Sequence, residues 1–195
     1  MSARAQAPAL RVAVAGASGR MGRMLIEAVT LSDDCVLSGA LDVPGSAALG
    51  QDAAAFLGRT SGVAIVADVR AGLSGADVLI DFTRPEGTLA HLAACRELGV
   101  KAVVGTTGFS VEQKAEVAAV AREIAIVMAP NMSAGVNVVL RLIDMAARAL
   151  AEGYDIEIIE TPVARASITS RASGPNSLVG LDSGLQVNRG VRAPV

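Results

Sequence analysis

Through the first 160 residues, short runs of aliphatic and β-branched residues alternate with segments whose apolar positions recur at helical spacing. Leu10–Ala15 (LRVAVA) reads as a buried strand. It is followed by a glycine-rich turn and an amphipathic segment from about Arg20 to Leu31. Cys35–Leu41, Val63–Val66, Val78–Asp81, Lys101–Val104 and Ile124–Met128 read as further strands, and residues 42–60 as a looser connection. Thr83-Arg84-Pro85-Glu86 has the form of a capping box with proline in the first turn, and Gly99 stands where a helix-terminating glycine belongs. Ser110-Val111-Glu112-Gln113 opens another helix, to about Glu123. Val136, Val139, Leu140, Ile143 and Leu150 mark an apolar helical face, and Tyr154–Glu160 reads as a strand. Strand–helix alternation at this spacing predicts right-handed βαβ units and a doubly wound parallel sheet.

After Glu160 neither period persists. The segment 161–195 is rich in Ser and Gly and carries Arg165, Arg171, Arg189 and Arg192 against one acid, Asp182. It reads as an irregular, weakly structured tail. Composition narrows the function classes. The chain is 52% hydrophobic and 18% charged with a net charge of -2, so nothing electrostatic points to nucleic acid or an acidic membrane as partner. No apolar run approaches the ~18 residues of a membrane span, and the N-terminus lacks the apolar stretch of a signal peptide. Two cysteines, Cys35 and Cys95, lack CxxC spacing and suit buried thiols in a reducing cytoplasm. His91 is the single histidine, which excludes a histidine metal cluster; mid-helix, it reads as a surface or packing residue.

The chemistry concentrates after the first strand, in Gly16-Ala17-Ser18-Gly19-Arg20-Met21-Gly22. A strand-to-helix turn needs backbone angles that residues with a Cβ resist, and a pyrophosphate must approach the backbone closely. The following helix offers free N–H groups and the positive end of its dipole. Asp42 ends the second strand, 20 residues beyond Gly22, where a carboxylate can accept hydrogen bonds from ribose hydroxyls. Strand, turn, helix and acid together predict a dinucleotide-binding Rossmann unit. Val43 rather than arginine follows the acid, favouring NADH, with NADPH the alternative because Arg20 could serve a phosphate. Two more loops follow the carboxyl ends of strands: Gly105-Thr106-Thr107-Gly108 and Ala129-Pro130-Asn131-Met132-Ser133. Their small residues and hydroxyls suit a nicotinamide and its ribose, although turn chemistry and capping explain them equally; Asp81-Phe82-Thr83 is similar.

The segments VAVAGASGRMGR, DFTRPEGTLAHL, VVGTTGF, IAIVMAPNMSAGVNV and YDIEIIE, in this order, resemble the 4-hydroxy-tetrahydrodipicolinate reductase family over about residues 11–160. The resemblance implies a Rossmann domain (10–134), the start of an α+β substrate domain (135–160) and a homotetrameric cytoplasmic enzyme. Its reaction would be NAD(P)H-dependent reduction of a small molecule, 4-hydroxy-tetrahydrodipicolinate, to tetrahydrodipicolinate in lysine and diaminopimelate synthesis. Carried over by position, the cofactor residues are Gly16, Ala17, Ser18, Gly19, Arg20, Met21, Asp42, Gly105, Thr106, Thr107, Ala129, Pro130, Asn131 and Met132. No metal is implied.

The match stops at Glu160. There the family continues Ala-His-His-Arg-His-Lys, whose first histidine and lysine are taken as proton donors. This chain has Pro162 and Ala166 at those places, and neither can donate a proton. Ser173-Gly174-Pro175 only faintly resembles the family's substrate loop. A frameshifted, truncated or divergent product is therefore expected, with no catalytic residue assignable, impaired activity and a doubtful tetramer. The alternative is a non-catalytic NAD(P)-binding module. Another Rossmann oxidoreductase, such as a homoserine or aspartate dehydrogenase relative, would not be expected to carry DFTRPEGT and GTTGF in succession.

Overall fold

The computed structural model describes residues 8–150, together with the strand backbones at 155–160, 179–180 and 185–190. It divides into two compact units, Met1–Pro130 and Asn131–Val195.

The first unit is built on a six-stranded sheet. Its strands are β1 (Leu10–Ala15), β2 (Cys35–Leu41), β3 (Ile65–Val66), β4 (Val78–Asp81), β5 (Lys101–Val104) and β6 (Ile126–Met128). All neighbours pair in parallel, in the order β3-β2-β1-β4-β5-β6. The order reverses between β1 and β4, and the carboxyl ends of those strands face the crevice where such sheets bind ligands. The strand period of two shows directly in β1, where Val12 and Val14 pack with Ile26, Val29 and Leu37. Ala13 and Ala15 point the other way, into a cluster with Leu41, Leu73, Leu79 and Cys95. Burying a side chain such as Leu79 contributes about 1.5–3 kcal/mol of transfer free energy.

Helices cover both faces. In α1 (Arg20–Thr30) the buried positions Gly22, Ile26 and Val29 fall on one stripe. α3 (Pro85–Leu98) buries Thr88, Leu92, Ala94 and Cys95 and ends on Gly99 in the left-handed conformation. α4 (Val111–Val120) forms the capping box expected of Ser110 and Gln113. Local expectations change at several points, and β3 begins at Ile65 rather than Val63. Residues Val69–Leu73 form a short helix, α2, capped by the Asp68 side chain. The N-cap of α3 is Arg84 with no side-chain cap bond, so the capping box read at Thr83 does not form. β6 begins at Ile126 rather than Ile124.

In the second unit, the side chain of Ser133 accepts from Val136 N–H and caps α5 (Ala134–Ala149). β7 (Asp155–Glu160) pairs antiparallel with β9 (Leu185–Gly190), which pairs antiparallel with β8 (Val179–Gly180). Two strands thus lie within the segment read as an irregular tail. β8 is only two residues long and β9 takes its main partner, β7, from before the segment, so local periodicity carries little sign of either. Pro162, Ala166 and Ser173–Pro175 lie outside the described residues.

Candidate cofactor site

The glycine turn closes through Gly19 N–H donating to Gly16 O (2.9 Å), while Ala17 N–H reaches Leu41 O on β2 (2.9 Å). Gly16 takes φ +70°, a conformation that favours glycine. Gly22 is required for a different reason. A Cβ there would sit 2.0 Å from Gly16 O, so α1 packs its backbone directly onto the turn. No side chain caps α1, whereas α2, α4 and α5 each have one. Its first-turn N–H groups are left for an acceptor from outside the helix.

Asp42 follows β2 and faces the same turn. Its Oδ2 accepts from Ser18 N–H (3.0 Å) and its Oδ1 from Val43 N–H (2.8 Å). Partial burial pushes the carboxyl up, but hydrogen bonds from Ser18, Val43 and Ser46 outweigh it and hold Asp42 below the ordinary carboxylate range. It is therefore a carboxylate at neutral pH, tied to the loop that a pyrophosphate would occupy.

The loop after β4 lies against this turn, and the loop after β5 lies against the loop after β4. Thr83 Cγ2 is 3.1 Å from where a Cβ on Gly16 would be. Gly105 N–H donates to Asp81 O (2.9 Å), and a Cβ on Gly105 would fall 2.0 Å from the Phe82 ring. Thr107 is exposed, whereas Thr106 is buried with its hydroxyl 2.8 Å from that of Thr88. Beyond β6, Ala129 N–H donates to Val104 O (3.2 Å). The first unit thus gathers Gly16–Met21, Asp42, Gly105–Thr107 and Ala129–Pro130 at the carboxyl ends of its strands. Asn131 and Met132 open the second unit, where Asn131 Oδ1 accepts from Ser133 N–H (2.8 Å).

One group of polar residues was not assigned from the sequence. Asp81, 1% exposed at the end of β4, accepts from Thr83 N–H (2.9 Å) and Thr83 Oγ1 (2.6 Å), and its Oδ2 lies 2.8 Å from His91 Nδ1. Burial pushes this carboxyl up; hydrogen bonds from His91 and Thr83 outweigh it and hold it below the ordinary range. His91 is therefore neither a surface nor a simple packing residue but the partner of a buried acid. The available signal was the spacing of Thr88, His91 and Cys95 on one side of α3, ten residues after a strand-ending Asp. The thiol of Cys95 is pushed up to about 12, chiefly by burial and also by Asp81, so it is inert at neutral pH. Among the described residues no three of His, Cys, Asp or Glu cluster to hold a metal ion, and no helix is long and apolar enough to cross a membrane.

Strand order, glycine turn, uncapped helix and acid after β2 define a dinucleotide-binding Rossmann protein. The family model "Dihydrodipicolinate reductase, N-terminus" matches residues 10–132. The chain belongs to that family, whose N-terminal domain binds NAD(P)H. It is 64% identical over 151 residues to the 4-hydroxy-tetrahydrodipicolinate reductase of Cupriavidus taiwanensis, an alignment covering 77% of this chain and 57% of that protein. The reductase of the same name from Nitrosomonas europaea is 56% identical over 151 residues, again 77% of this chain, and 56% of that protein is covered. The chain thus spans little more than half the length of these relatives. Its fold is similar to that of a dipicolinate-bound dihydrodipicolinate reductase from Paenisporosarcina sp. TG-14. The TM-score is 0.60 at 19% identity, covering 95% of this chain and 88% of that one.

Proposed function

We propose that this chain is the cofactor-binding part of a 4-hydroxy-tetrahydrodipicolinate reductase and that it binds NADH in preference to NADPH. The observation that carries this reading is the packing of the loop after β4 on the Gly16 turn, beside the Asp42 carboxylate, with the loop after β5 held against it. The turn and the first-turn amides of α1 would hold the pyrophosphate, since a backbone this closely packed leaves no side chain in the way. Asp42 would accept from the adenosine ribose, and its negative charge, followed by Val43, disfavours a 2′-phosphate. Gly105–Thr107 and Ala129–Met132 would face the nicotinamide and its ribose. In a full-length reductase, NAD(P)H held there would supply a hydride and a general acid a proton, so that 4-hydroxy-tetrahydrodipicolinate would give tetrahydrodipicolinate, water and NAD(P)+. The two free thiols, Cys35 and Cys95, favour a reducing cytoplasm.

In these 195 residues binding is expected without appreciable turnover, because Pro162 and Ala166 stand where the family resemblance implies His and Lys. Losing a general acid lowers a rate typically by about 10²–10⁴-fold. Titration followed by nicotinamide fluorescence tests the binding. Saturable binding with a lower Kd for NADH than for NADPH is expected, and Asp42→Ala should narrow that preference. No signal change at millimolar cofactor would overturn the reading. A synthase-coupled assay tests turnover, and NADH oxidation at rates typical of the family would refute the non-catalytic half.

A further inference from the structure

The Asp81–His91 pair continues into a chain of hydroxyls. Thr83 Oγ1 donates to Asp81 Oδ1 and lies 3.4 Å from Thr88 Oγ1, which is 2.8 Å from Thr106 Oγ1. Thr88 is 0% and Thr106 3% exposed, so water does not replace these partners. One end of the chain touches the glycine turn, where the methyl of Thr83 lies against Gly16. The other end is the loop after β5. His91 and Thr88 both sit on α3, which covers the sheet at the point where the strand order reverses. Two loops separated by about ninety residues of sequence are therefore registered to one another through one helix.

We propose that Thr88, held by the Thr83–Asp81–His91 network, is a positioning residue that fixes the loop Gly105–Thr107 against the nicotinamide half of the cofactor. The proposal rests on the cofactor reading above. The Thr88 hydroxyl pairs with Thr83 and Thr106, whereas Asp42 accepts from Ser18 and Val43, so the adenosine half of the site does not depend on that hydroxyl. Thr88→Val keeps the shape, removes the hydroxyl and leaves Thr106 without its partner. Thr88→Ser keeps the hydroxyl.

The test compares two ligands, NADH by fluorescence and ADP-ribose, which lacks the nicotinamide, by calorimetry. Thr88→Val is expected to raise the NADH Kd by about tenfold, the equivalent of one hydrogen bond to a positioned loop. Its ADP-ribose Kd should stay within about twofold, and Thr88→Ser should return NADH binding to within about threefold of wild type. Should Thr88→Val not fold, Thr88→Ala, which removes the same hydroxyl without adding bulk, should show the same contrast. Equal weakening of both ligands, or unchanged NADH binding, would overturn the positioning role while leaving the cofactor assignment intact. A wild-type chain that binds ADP-ribose or nothing, but not NADH, would remove the cofactor reading and the positioning role with it.

Discussion

At position 22 a single methyl group separates a working turn from a broken one. Alanine there would drive its Cβ to 2.0 Å from Gly16 O and 2.9 Å from Ala17 Cα, both backbone atoms that cannot swing aside. Gly22→Ala should therefore lower stability by about 1–3 kcal/mol in urea unfolding, the usual cost of overpacking. It should also weaken NADH binding by more than about tenfold. Wild-type affinity in a fully folded variant would show that the turn does not need this approach. The requirement at Gly22 was legible in sequence because steric demand at a turn leaves glycine as its trace. The demand on Asp81 left none. Its carboxylate is satisfied by Thr83 and by His91 from the next helix, and each of those residues has an ordinary local reading as a cap or a surface histidine. Thr83 in particular gives its hydroxyl to the buried acid rather than to α3.

β1 was readable from the unbroken apolar run at residues 12–15 and α1 as a helix with one apolar stripe, whereas α3 was readable from Pro85 and Gly99 at its ends. α2 was not. Its five residues include Gly72, a poor helix former, and the reason lies outside the helix. A Cβ on Gly39 would come within 1.8 Å of Gly72 O, and one on Gly72 within 2.3 Å of Leu41 Cδ2, so α2 is accepted for its close approach to β2. Between these elements, charged staples fix the connections. Asp52 accepts from Ala54 N–H, Ser61 N–H and Oγ, and Gly62 N–H, which holds its carboxyl at about 2. Asp52→Asn should speed hydrogen exchange at Ser61 and Gly62 while leaving the strands protected. At the amino ends of β1 and β4, Arg11 clasps Asp77 through Nε (3.1 Å) and Nη2 (2.8 Å) and holds it at about 2. The unfolded carboxyl titrates near about 3.9, so this stabilisation is complete above that pH and disappears as pH falls toward 2. Urea midpoints of wild type and Asp77→Asn should accordingly differ at pH 6 and converge between about pH 4 and 2. A constant gap would mean that charge is not what Asp77 contributes.

For the whole molecule, the boundary between the units falls within the loop after β6, between Pro130 and Asn131. Everything proposed to bind the adenosine and pyrophosphate, namely Gly16–Met21 and Asp42, lies in the first unit with all six parallel strands. Among the described residues, the apolar clusters around Val12, Leu79 and Val104 are formed by residues of that unit. A chain of residues 1–130 should therefore unfold cooperatively and bind ADP-ribose within about threefold of the 195-residue chain. For NADH the two chains should part. Asn131 and Met132 are absent from the shorter one, and if they face the nicotinamide its NADH Kd should rise while its ADP-ribose Kd does not. Equal affinities for NADH would confine the whole cofactor site to the first unit and strike Asn131 and Met132 from it. A shorter chain that fails to fold would show instead that the second unit supplies stability to the first.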